Sequence, residues 1–82
     1  MPYGQAMPIA REQLLDHLAV AERHIARGER IIRKQRALVQ RLDSAGLSTV
    51  EAQRLLNIFE DMQRSHRADR DRVMEQLQRR SP

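Results

Sequence analysis

Two long stripes of apolar residues at heptad spacing, divided by one compressed turn, constrain this chain more than anything else in it. The turn reads Leu42-Asp43-Ser44-Ala45-Gly46-Leu47-Ser48-Thr49-Val50-Glu51. Gly46 suits the left-handed position that ends a helix, and Leu47 then falls where it can touch Leu42. Ser48 followed by Glu51 three residues later has the pattern of a capping box that opens a new helix. Stop and start signals this close force two helices to fold back on each other. The expected fold is therefore all-α, an antiparallel two-helix hairpin. Helix 1 is expected over about 8–45, the turn over 46–48 and helix 2 over about 49–79. Residues 1–7, with Pro2 and Gly4, read as a flexible tail, and Pro8 fits the first turn of a helix, where its missing N–H costs nothing.

In the first helix, apolar or small residues recur at Leu14, Leu18, Ala21, Ile25, Gly28, Ile32, Val39 and Leu42. A second line flanks them: His17, His24, Ile31, Leu38 and Ala45. The expected seam of the second helix is Ala52, Leu55, Phe59, Met62, His66, Asp69, Val73 and Gln76, flanked by Leu56, Gln63, Arg70 and Leu77. Such a stripe is wider than a two-stranded seam and implies packing against more than one neighbouring helix. A chain of 82 residues with no cysteine, and with Tyr3 and Phe59 its only aromatics, has little else to stabilise it. Self-association follows as the expectation: a homodimeric four-helix bundle or a longer coiled-coil assembly. Its interface would use Leu15, Ile31, Leu38, Leu56 and Leu77.

Polar residues interrupt the seam. Closing the hairpin at Gly46-Leu47 sets Leu42 opposite Ala52, Val39 opposite Leu55, Gln35 opposite Phe59 and Ile32 opposite Met62. Gly28 then comes opposite His66, and His24 opposite Asp69. Gly28, His24, His66 and Asp69 thus form an expected polar layer that fixes register, as a seam asparagine does in coiled coils. His24, His66 and Asp69 are also metal-ligand types, to which Glu22 or Glu29 could add a carboxylate. Carboxylate-bridged bundles use Glu-x-x-His pairs, however, and the order here is reversed as His66-x-x-Asp69. The structural reading is preferred, with no cofactor expected.

Between Arg27 and Arg41 six basic residues, Arg27, Arg30, Arg33, Lys34, Arg36 and Arg41, meet Glu29 alone. With a net charge of +4 this makes a basic band around the middle of the rod. Such a band is either a solvated helix surface or a footprint for an acidic protein or nucleic acid. No aromatic is interleaved for base stacking, so nucleic-acid binding would be non-specific. There is no nucleophile-bearing turn or glycine-rich phosphate loop, and the chain reads as non-enzymatic. A signal-peptide pattern and an apolar run of about 20 residues are both missing, so a cytoplasmic protein without a membrane span is expected.

Across His17-Leu18-Ala19-Val20-Ala21-Glu22-Arg23-His24-Ile25, Leu55-Leu56-Asn57-Ile58-Phe59-Glu60 and Asp69-Arg70-Asp71-Arg72, the chain resembles a group of short bacterial helical-hairpin proteins. They share a His-Leu-Ala-x-Ala-Glu-Arg-His opening and have no established activity. The resemblance covers most of residues 14–77 and implies a complete small protein, without implying a site, cofactor or partner.

Overall fold

A computed structural model describes residues 10–80, with Arg80 described in its backbone only. The expected tail over 1–7 and the placement of Pro8 lie outside the described residues. Helix α1 (Arg11–Ser44) and helix α2 (Val50–Arg80) pack against each other as a hairpin about 66 Å long and 15 Å thick. The first helix begins three residues later than expected because Ala10 is extended, with ψ 149°, and acts as the N-cap. Alanine offers no capping oxygen. The Gln13 side chain reaches back instead, and its Oε1 accepts the Ala10 N–H at 3.2 Å.

The turn forms as the glycine demands. Gly46 has φ 72°, in the left-handed region where a Cβ is costly. The Leu47 N–H donates to the Leu42 carbonyl at 2.9 Å and the Gly46 N–H to Asp43 at 3.0 Å, the paired bonds of a Schellman ending. The expected capping box does not form. Ser48 Oγ accepts from the Val50 N–H at 3.4 Å, while Glu51 turns along its own helix to pair with Arg54 at 3.2 Å. The helix starts one residue later than the pattern assumes: its first bond runs from the Gln53 N–H to the Thr49 carbonyl at 2.8 Å, which makes Glu51 the second helical residue instead of the third.

The two helices meet along one seam. On α1 it consists of Leu14, Ala21, Ile25, Ile32 and Gln35, all buried, with Leu18, Gly28, Leu38, Val39 and Leu42 half-buried. This agrees with the periodicity. On α2 the buried residues are Ala52, Leu56 and Gln63, followed by half-buried Phe59, His66, Arg70, Val73 and Leu77. The expected line of Ala52, Phe59, His66 and Val73 is kept, but the line of Leu55, Met62, Asp69 and Gln76 gives way to its neighbour, Leu56, Gln63, Arg70 and Leu77. Leu55 is 42% exposed and Met62 51%, whereas Leu56 and Gln63 occupy the interior. Neighbouring residues on a helix differ by about 100° of rotation, so a shift of one position exchanges an inward line for a flank.

Candidate functional site: the Gly28 notch and the two flanks of the hairpin

Glycine 28 leaves a gap in α1 at the middle of the seam, and the side chain that enters it is Gln63. A Cβ at position 28 would stand only 2.8 Å from Gln63 Cδ. The Gln63 amide is 3% exposed and donates from Nε2 to the Ile25 carbonyl at 2.8 Å. Nearer the turn, Gln35 does the same in the other direction, its Nε2 donating to the Ala52 carbonyl at 2.9 Å. Each helix therefore inserts one glutamine that grips the backbone of the other. Of the expected layer of Gly28, His24, His66 and Asp69, the first three meet at one place in the hairpin and Asp69 stands apart, and these two amide bonds are polar contacts beyond that layer. Heptad spacing sets Gln35 in the facing line but leaves Gln63 on the flank, because the neighbouring line through Met62 is more apolar. The available signal was Gln63 standing in the line Leu56-Gln63-Arg70-Leu77, with a glycine on the other helix.

His24 and His66 do come together across the hairpin, with ring centroids 5.2 Å apart and planes tilted by 49°. They sit beside the notch rather than in it. Asp69 does not join them: it is exposed and pairs with Arg72 one turn along α2. Glu29 is drawn to the opposite flank, 3.8 Å from Arg67, and Glu22 is exposed. Among the described residues no group of three or more histidine, cysteine, aspartate or glutamate side chains is placed to share a metal ion. The histidine pair supplies two of the three or four protein ligands that a zinc site takes.

Next to the pair a cavity of about 250 Å³, mostly apolar, opens on one flank between Ile31, Phe59, Met62 and His66, with the Arg27 side chain at its border. Two buried polar atoms at this place have no hydrogen-bond partner, Gln63 Oε1 and His66 Nδ1. The Gln63 oxygen lies in the space that a Cβ at position 28 would take.

The two flanks of the seam differ in chemistry. One is bridged by Arg36 and Glu60 at 2.8 Å and by Arg67 and Glu29 at 3.8 Å. The other has no ion pair across it among the described residues and carries Ile31, Leu55 and Met62 exposed, with Leu38 and Phe59 half-buried. This alters the expected set of interface residues. Ile31 lies on the apolar flank, and Leu38 and Leu77 are half-buried in the seam. Leu56 is buried inside the hairpin itself, and Leu15 falls on the heptad line of Glu22, Glu29 and Arg36, the ion-paired flank.

The basic band also divides. Arg36 is held by Glu60, and Arg33 borders the ion-paired cleft with Arg64 and Arg67. Arg27, Arg30, Lys34 and Arg41 are exposed on α1 without an ion pair among the described residues. No helix among the described residues is long and apolar enough to cross a membrane. Comparison with known protein families, curated proteins and solved structures finds no match, so a function must be read from the chain's own residues.

Proposed function

We propose that this chain is a non-enzymatic, self-associating helical module whose apolar flank receives a second copy, giving a four-helix bundle with a basic outer surface. The observation that carries this reading is the inequality of the flanks. Two interhelical ion pairs lie on one side, while Ile31, Leu55, Met62 and the edges of Leu38 and Phe59 share the other. Covering a large aliphatic side chain contributes about 1.5–3 kcal/mol, and a single layer of helix contact leaves several of these half in water. A two-fold arrangement would set the same patch against itself, the commonest geometry for a homodimer. The patch occupies the turn-proximal half of the rod. Towards the open end the same heptad lines turn polar through His24 and His17 on α1 and Asp69 and Gln76 on α2.

Sedimentation equilibrium at micromolar concentration tests the proposal. The expected result is a dimer or larger species whose melting temperature rises with protein concentration. Ile31→Lys with Met62→Lys should dissociate it, since two charges would be buried without partners. A fully folded monomer of the unaltered chain at that concentration would sink the idea.

A further inference from the structure

The charges of the two helices are arranged in opposite ways. Along α2, basic residues are neutralised locally: Arg54 by Glu51, Arg64 by Asp61, Arg72 by Asp69 and Arg79 by Glu75. Among the described residues α1 has no ion pair within itself, and its central cations are stacked in register. Arg23, Arg27, Arg30, Lys34 and Arg41 follow one another at steps of four, three, four and seven, with Ala37 filling the gap. All five are exposed and share the outer side of α1, with Arg27 at its edge, where it borders the cavity lined by Phe59, Met62 and His66 of α2. The line is about 27 Å long at the helical rise. Like charges three and four residues apart destabilise a helix, so the arrangement is unfavourable until an anion meets it.

We propose that the outer face of α1 docks along the phosphate backbone of double-stranded nucleic acid without reading its sequence. A straight, rigid line of fixed cations matches a rigid polyanion carrying one charge per strand about every 3.4 Å, and roughly eight base pairs would lie alongside it. Four of the five cations are arginines, whose planar forks suit phosphate oxygens. An acidic protein partner would need apolar or aromatic anchors at the centre of its interface, whereas the line of cations holds Ala37 at its gap and has Ile31 at its edge. An anionic membrane would need a continuous apolar strip beside the charges for insertion, and the exposed large apolar side chains that α1 sets beside this line are Val20 and Ile31, eleven residues apart. Single strands are held by stacking on aromatics. Phe59, the aromatic among the described residues, borders the notch between the helices.

Fluorescence anisotropy with labelled duplexes of unrelated sequence, using the full chain, tests this. Five phosphate contacts predict a slope of log affinity against log salt near −4.5, or about a 500-fold loss between 50 and 200 mM salt. Affinity should be equal across sequences. Arg23→Gln, Arg27→Gln, Arg30→Gln and Lys34→Gln together should abolish binding while helicity by circular dichroism persists. A matched control, Arg54→Gln, Arg64→Gln, Arg72→Gln and Arg79→Gln, removes the same charge from α2 and should retain most of the affinity. Arg30→Gln alone should flatten the slope by about 0.9. Equal losses in the two fourfold variants would overturn the proposal by showing that net charge alone is read. So would tighter binding to poly-glutamate or to phosphatidylserine vesicles than to duplex, or the lack of a salt-sensitive anisotropy change at 50 mM salt.

Discussion

Replacing Gly28 with alanine sets two effects of opposite sign against each other, and the structure says which wins. Alanine is favoured over glycine inside a helix by about 1 kcal/mol. The new Cβ, however, would stand 2.8 Å from Gln63 Cδ and 3.2 Å from its Nε2, closer than carbon tolerates. The amide must leave, which breaks the 2.8 Å bond from Gln63 Nε2 to the Ile25 carbonyl. A net hydrogen bond is worth about 0.5–1.5 kcal/mol, and a polar group left buried without a partner costs about 1–3 kcal/mol. The balance is a loss of about 1 kcal/mol for Gly28→Ala in the unaltered chain. With Gln63→Ala already in place the amide is gone, and Gly28→Ala should gain about 1 kcal/mol. The coupling between the two positions is therefore about 2 kcal/mol. Urea unfolding of all four species by circular dichroism measures it, at one protein concentration because association shifts apparent stability. Additivity within about 0.5 kcal/mol would refute the idea that Gly28 exists to admit Gln63.

Three further outcomes follow from the same geometry. Gly46→Ala should lower stability by about 1–2 kcal/mol through backbone strain at φ 72° alone, since a Cβ there meets nothing within 4 Å; an unchanged denaturant midpoint would contradict this. His66→Leu removes a buried nitrogen with no partner and should raise the melting temperature, by about 1 kcal/mol in stability, whereas a drop would mean that His66 Nδ1 is satisfied in solution. Asp69→Ala should change stability by less than about 0.5 kcal/mol, because its ion pair with Arg72 is exposed; a loss above about 1 kcal/mol in thermal melts would place Asp69 in the seam after all.

Much of the architecture was legible in local sequence, and for a physical reason. A helix end is decided by a few adjacent residues, so Gly46 alone specifies the left-handed turn and the Schellman bonds around it. The α1 seam was equally legible, because Leu14, Ala21, Ile25 and Ile32 are its well-spaced aliphatics and no competing line is as apolar. Side-chain caps were less so. Ser48 and Glu51 fit the capping pattern, but α2 starts at Val50 and so sets Glu51 one position too early for the box.

The rotation of α2 was decided by the tertiary structure. Its sequence offers two parallel lines, one through Leu55 and Met62 and one through Leu56 and Gln63, and hydropathy favours the first because methionine is apolar and glutamine is not. The second is nevertheless buried, since the Gln63 amide fills the space left by Gly28 and finds the Ile25 carbonyl there. That preference belongs to a pair of residues 35 positions apart, and no property of either helix alone encodes it. The same rotation carries Asp69 out to Arg72 and leaves His66 beside His24, so the candidate metal set was broken up by a contact elsewhere in the seam. Spacing along a helix tells which residues share a face. Which face turns inward depends on the shape and hydrogen bonding of the surface that it meets.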